Sequence, residues 1–316
     1  MVGKRKRVII ASGILLVGVA AMLLFKISRP RRGPEPVYQG KPLSQWMAAK
    51  KMLDAADPKF PISELAPAIE AVRQMGTNAL PFLVDDLCAQ DALIWRKIPA
   101  SMYLRFRFIL RARGAYYHGE PDPWERQQRA IFFLSGMGSL AEPALPEIAK
   151  CLDHPDAAEG ALEVLNFYAS DKQMRPGPEV TTALLKATTN GSRRVRQLAA
   201  NTISLFRIDA DLAVPVLLRT LHDQAAEVRA TSAMALGYRA RASVIVPALI
   251  GVLDDPDFYV RRNAVWRLGM FGSNAAPAVP KIVGCLSDTN VEVREKATNA
   301  IKLIDPEAAK GAGAPL

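Results

Sequence analysis

Apolar positions between residues 192 and 304 return at an almost constant interval. Four Val-Arg pairs, Val195-Arg196, Val228-Arg229, Val260-Arg261 and Val293-Arg294, stand 33, 32 and 33 residues apart. Three residues after each arginine comes a small residue (Ala199, Ser232, Ala264, Ala297), and seven after it an aliphatic one (Ile203, Leu236, Leu268, Ile301). This spacing sets a small and a large apolar residue on one helix face, so that neighbouring helices can approach closely. A Val-Pro pair follows in each interval: Val214-Pro215, Val246-Pro247 and Val279-Pro280. Six residues after each proline comes a leucine, and two later an aspartate: Leu221/Asp223, Leu253/Asp255 and Leu286/Asp288. Proline suits the start of a second helix, where its missing N–H costs no bond. The aspartate suits a cap for the next helix. A helical period of this length predicts a stack of helical hairpins.

The phrase continues toward the N-terminus in weaker form. Pro81 precedes Leu87, and Pro146 precedes Leu152, by the same six residues. Pro81 to Pro146 and Pro146 to Pro215 each span close to two periods, and the intervening copy aligns Thr182–Lys186 with Pro215–Arg219, its proline lost. A helix is predicted from Glu64 to Met75, ended by Gly76, and an earlier one behind Ser44 as N-cap. Residues 88–124 read as an irregular insertion and 155–190 as a degenerate repeat. The predicted fold is all-α: a right-handed α-solenoid of about six hairpins over residues 44–307, with a flexible C-terminus at 308–316.

The phrases Val260-Arg261-Arg262-Asn263-Ala264, Leu268-Gly269, Gly272–Pro280 and Leu286-Ser287-Asp288, with a second copy of the central part at Gly138–Pro146, resemble HEAT repeats, in particular the bacterial form related to bilin-lyase-type repeats. The resemblance covers roughly residues 64–304. It implies an α-solenoid with a protein-binding surface, and no particular chemistry, since a fold does not fix a function.

Residues 1–43 depart from this pattern. Val8 to Phe25 is a run of 18 uncharged, mostly aliphatic residues, about 27 Å as a helix and close to a bilayer core. It predicts a transmembrane helix behind a basic tail at 1–7, with a cleavable signal ending near Gly18-Val19-Ala20 as the rival. The tail places the N-terminus in the cytoplasm and the solenoid outside it, as a single-pass membrane protein; the reverse orientation is the alternative. Residues 26–43, with Pro30, Pro34, Pro36 and Pro42, read as a basic, extended linker.

Charge adds little once it is located. The formal net charge of +10 rests mainly on eight cations in residues 1–33, which hold no acid. The body is nearly neutral, which argues against nucleic acid as a partner. Cys88, Cys151 and Cys285 are odd in number and widely spaced, each beside the leucine that follows a repeat proline. They read as small buried hydrophobes, without a disulfide framework or metal spacing.

Candidate chemistry is sparse. His118, His154 and His222 form no metal-ligand pattern, and neither a phosphate loop nor a nucleophile elbow is present. Asp254-Asp255-Pro256-Asp257 occupies an inter-repeat turn and reads as caps rather than a calcium site. No catalytic residue, cofactor, metal or small-molecule substrate is predicted. Arg196, Arg229, Arg261 and Arg294 could form a phosphate ladder, but a role bonding turn aspartates and carbonyls of neighbouring repeats fits better. Two surfaces remain as partner-binding candidates. Lys150, Lys186 and Arg219, each four residues after a repeat proline or its aligned Thr182, would line one face of the second helices; Asp85 breaks the row after Pro81. Tyr103, Arg105, Arg107, Arg111 and Arg113, in the basic and aromatic stretch 95–117, could meet nucleic acid or a membrane surface. The expected function is a non-catalytic, membrane-tethered scaffold for an unidentified protein partner. The alternatives are nucleic-acid or membrane-surface binding through 95–117, and a bilin-lyase-like or metal-dependent enzyme.

Overall fold

The computed structural model describes residues 33–48, 65–89, 123–172, 174–236 and 241–311. They fall into two compact units, residues 1–144 and 145–316. The stretches 8–25 and 95–117 lie outside the described residues.

In the first unit, the stretch read as a linker folds from Val37 onward. Strand β1 (Val37–Tyr38) pairs antiparallel with β2 (Lys41–Pro42). The connecting pair Gln39-Gly40 has φ of 49° and 73°, the left-handed conformation that a two-residue hairpin loop needs and glycine supplies readily. Helix α1 (Leu43–Met47) follows and buries Leu43 and Met47. Ser44 does not cap it. Pro42 holds the cap position, and the Ser44 amide and hydroxyl both donate to the Glu35 carboxylate, the hydroxyl at 3.0 Å.

Helix α2 (Ala66–Met75) stops at Gly76, whose φ of 61° ends an α-helix without a Cβ penalty. A 3-10 turn (Gly76–Ala79) leads into α3 (Leu80–Leu87), with Pro81 in its first turn as the pattern requires. Helix α4 (Pro123–Met137) packs against both α2 and α3. Arg126 of α4 is almost buried and donates to Asp86 at 2.5 and 2.9 Å and to Asp85 at 3.3 Å. Asp85 thus belongs to an ion pair.

The second unit is the regular array. Its second helices are α5 (Leu145–Lys150), α7 (Pro178–Ala187), α9 (Ala210–Thr220), α11 (Ala242–Gly251) and α13 (Val279–Cys285). Its first helices are α6 (Ala158–Lys172), α8 (Arg193–Leu205), α10 (Ala226–Ala235), α12 (Phe258–Met270) and α14 (Val291–Ile304), followed by a short α15 (Pro306–Gly311). Each first helix from α6 to α14 packs on the next. The small residues Ala199, Ser232, Ala264 and Ala297 and the aliphatic Ile203, Leu236, Leu268 and Ile301 are all buried. The observed fold is thus a mostly helical repeat solenoid, its core set by the spacing after each arginine.

Two details of the phrase differ from expectation. Pro280 sits in the first turn of α13, but Pro215 and Pro247 lie inside α9 and α11, which begin five residues earlier. Before α13 the first four of the corresponding five residues (275–278) belong to a 3-10 segment (Gly272–Ala278), so the α-helix proper starts later there. The repeat aspartates, moreover, stand two residues ahead of the formal caps. Asp257 and Asn290 cap α12 and α14, accepting amides from Tyr259 and Glu292 at 2.9 and 2.8 Å.

Gly269 sets the closeness of α12 and α14. A Cβ there would lie 3.0 Å from the Ala300 Cα and 3.1 Å from its Cβ, so a larger side chain must push two backbones apart. Gly269→Val is expected to destabilise the array by about 2 kcal/mol, read as a lowered thermal midpoint by circular dichroism. An unchanged midpoint would show that the two helices separate freely.

Two expectations are corrected. Cys88 and Cys151 are each disulfide-bonded rather than free buried thiols; Cys285 is free and buried. Desolvation, with Asp288 and Asp254 nearby, pushes the Cys285 thiol up to about 11, so it is an unreactive core residue. The placement as a single-pass membrane protein is also overturned: among the described residues no helix is long and apolar enough to cross a membrane. The physical reason is length and patterning. The longest helices, α4 and α6, have 15 residues each, about 22 Å against a hydrocarbon core of about 30 Å.

Candidate functional site

The repeat arginines are built into the array. Arg196, Arg229 and Arg261 each grip the aspartate of the following turn with two parallel bonds, Nε at 2.7 Å and Nη2 at 2.8 Å, to Asp223, Asp255 and Asp288. The third nitrogen, Nη1, donates to two carbonyls of the arginine's own preceding turn, at 2.7–2.9 and 3.1–3.2 Å. Each aspartate also accepts the amide two residues on, from Ala225, Asp257 and Asn290. One guanidinium therefore ties three pieces of chain, and all three of its nitrogens donate.

The electrostatics follow from that geometry. The arginine fork holds the Asp223 and Asp288 carboxyls below the ordinary carboxylate range, against the opposing effect of burial. For Asp255 burial is the largest influence and works against the charge. The Arg229 fork, the Asp257 amide and the Arg229 and Arg261 charges together outweigh it, and its pKa is lowered as well. A ladder so occupied offers nothing to a phosphate.

The degenerate repeat explains where the ladder begins. Asn190 takes the aspartate position and accepts the Ser192 amide at 2.9 Å, while Glu163 stands where the arginine would be. The turn survives and the grip does not.

The acidic turn 254–257 is likewise consumed. Asp255 is held by Arg229, Asp254 pairs with Lys281, and Asp257 caps α12. Among the described residues no cluster of histidine, cysteine or acidic side chains could hold a metal ion.

The second helices present a different surface. Between α5 and α7 lies a groove of about 450 Å³. Its lining repeats every helical turn: Pro146, Ala149, Lys150 and Asp153 on one side, Pro178, Glu179, Thr182, Ala183 and Lys186 on the other. The small Ala149 and Ala183 leave space, and the charged side chains form the rims. Two of the three cations read from the sequence therefore face one groove. The third, Arg219 on α9, reaches back to donate to Thr188 at the end of α7, at 3.0 Å.

These cations carry exposed partners. Lys150 pairs with Glu147 at 2.5 Å, and Lys186 with Asp153 of the preceding hairpin at 2.6 Å, with all four side chains more than half exposed. Pairs of this kind contribute about 0–1 kcal/mol each and exchange readily with solvent. The groove is thus edged by donors and acceptors of both signs. The Lys186–Asp153 bridge was absent from the sequence reading; its signal is the 33-residue separation, one repeat. The other candidates, Tyr103, Arg105, Arg107, Arg111 and Arg113, lie outside the described residues.

A family model described as HEAT repeats matches residues 214–302, the segment that holds the ladder from Asp223 to Arg294. No curated protein matches the chain. Solved structures similar to it include a designed armadillo repeat protein in complex with a (KR)4 peptide, at 17% identity and a TM-score of 0.48, covering 72% of this chain and 99% of that one. An engineered protein is similar at 19% identity and a TM-score of 0.46, covering 86% of this chain and 81% of its own. A further designed armadillo repeat protein has 17% identity, a TM-score of 0.45, and covers 72% of this chain and 100% of that one.

Proposed function

We propose that the array is a non-catalytic scaffold that holds an extended segment of another protein along its second helices, centred on the α5–α7 groove. The observation that carries this reading is the contrast between the two helix rows. On the first helices the repeated charges are closed into bidentate bonds. On the second helices the charges at Lys150, Lys186, Asp153 and Glu179 rim a cavity with exposed groups of both signs. An extended peptide presents amides, carbonyls and alternating side chains, and such a rim can pair with them in place of its own weak bridges. Repeat proteins use long surfaces of this kind for recognition.

The test is a triple charge reversal, Lys150→Glu, Lys186→Glu and Arg219→Glu. Because the bridges it breaks are exposed, helicity and thermal midpoint are expected to stay near wild type. Partner capture, measured as the yield of crosslinked complex recovered with the full chain, is expected to fall about tenfold or more. Capture at the wild-type level by a folded triple variant would remove this surface from consideration.

A further inference from the structure

The groove between α5 and α7 has a charge order. α5 carries Glu147 in its first turn and Lys150 in its last, and α7 carries Glu179 in its first turn and Lys186 in its last. The helix dipole favours this placement, acid at the start and base at the end. Here it has a second consequence, because the two helices pack side by side as the walls of one groove. Lys150 and Lys186 hold equivalent places, four residues after Pro146 and its aligned Thr182, and both line the groove. Glu179 lines it too, seven residues before Lys186, which is about 10 Å along a helix axis. Its side chain is exposed, and among the described residues no cation pairs with it. The groove therefore has an acidic end and a basic end.

The existing bridges do not erase this difference. Lys150 meets Glu147 and Lys186 meets Asp153, both in exposed pairs that exchange with solvent. A carboxylate placed between the two lysines meets two ammonium groups, against one in either bridge. The same order recurs on α9, with Asp211 in the first turn and Arg219 in the last, whereas α11 and α13 have neither. It belongs to the part of the array that holds the groove.

We infer that the α5–α7 groove selects a dipolar segment of a partner protein. A basic residue of the segment meets Glu179, and an acidic residue three positions away meets Lys150 and Lys186. The inference rests on the scaffold reading proposed above and gives the chemistry of its ligand. A segment seated between two helices lies along them rather than across them, so it passes one end of the groove and then the other. A polyproline II chain rises about 3.1 Å per residue and returns to the same face every third residue, so charges three apart span about 9 Å on one side. That matches the separation of the groove's two ends. Either chain direction meets the order, so what is selected is the pair of opposite charges and their spacing.

The test is a fluorescence anisotropy titration of the full chain with three labelled peptides capped at both termini. One is Gly-Ser-Lys-Pro-Pro-Glu-Ser-Gly; the others carry two lysines or two glutamates at the charged positions. The Lys/Glu peptide is expected to bind about fivefold more tightly than either of the others. Glu179→Lys is expected to reverse the preference, so that the two-glutamate peptide binds best, and Lys150→Glu/Lys186→Glu is expected to favour the two-lysine peptide. Loss of structure weakens all three peptides together and does not exchange their ranking; circular dichroism confirms that each variant is folded. A photoreactive residue at Thr182 reports whether a peptide occupies the groove. Equal binding of the three peptides overturns the inference, as does tightest binding of the two-glutamate peptide to wild type or an unchanged ranking in a folded Glu179→Lys variant. Absence of saturable binding, or binding without an adduct at Thr182, overturns it as well. The scaffold reading itself falls only if the triple charge reversal leaves partner capture at the wild-type level, an outcome that the peptides do not touch.

Discussion

Arg229→Met is expected to lower the stability of the array by about 3 kcal/mol, because it strands a carboxylate in a site built for a pair. The Arg229 and Asp255 side chains are 15% and 8% exposed, so Asp255 cannot recover the lost bonds from water. The amide of Asp257 remains to it, and the charge of Arg261 lies nearby, but both oxygens lose their fork. In a repeat array the loss falls on one interface, between α10 and the turn ahead of α12. Chemical denaturation should therefore show an earlier transition and faster amide exchange at that junction. The double variant Arg229→Met/Asp255→Leu removes both charges, and is expected to recover more than half of the loss. If Arg229→Met alone melts like wild type, the ladder is ornament rather than support.

Acid is expected to unfold the array through the same three carboxylates. Asp223, Asp255 and Asp288 all have pKa values lowered in the folded chain, whereas an unfolded aspartate titrates near 3.9. For a lowered carboxyl the folded state binds fewer protons than the unfolded one. Its contribution is fully present above the unfolded value, and is lost as pH falls through the folded value. Stability is thus expected to be level from pH 7 to about 5 and to decline steeply below about 4, with three groups titrating together. Arg229→Met provides the control. With its fork gone, burial dominates Asp255 and favours its protonated form, so the deficit of this variant should shrink as the acid limb is descended. Urea midpoints at pH 7, 5, 4 and 3 check both curves; parallel curves would show that Asp255 does not titrate with the fold.

Much of this was legible in the sequence. The interval between Val-Arg pairs, the small residue three on and the aliphatic residue seven on named the buried face of the first helices α8, α10, α12 and α14, since helical periodicity alone decides which side chains share a face. The structural role of Arg196, Arg229 and Arg261 was legible because each came with an aspartate 26 or 27 residues on. What was not legible depended on partners distant in sequence or on backbone freedom. The hairpin at 37–42 hides among prolines that suggest an extended linker, and only the Gln39-Gly40 turn betrays it. The Glu35–Ser44 contact displaced a predicted cap because the hairpin brings a carboxylate beside Ser44. The groove between α5 and α7 arises from the spacing of two helices, which no single stretch encodes; the sequence marked its cations and missed its acids. Disulfide bonding of Cys88 and Cys151 went unread because cysteine spacing along a chain says little about spacing in a fold.

The division of labour between the helix rows is tested most directly by site-specific photo-crosslinking in the full chain. A photoreactive residue at Thr182, exposed on α7 in the groove, is compared with one at Arg194, exposed on the first helix α8. The proposed scaffold predicts a discrete adduct with another protein at Thr182, abolished by Lys150→Glu/Lys186→Glu, and none at Arg194. An adduct at Arg194 with none at Thr182 would contradict it.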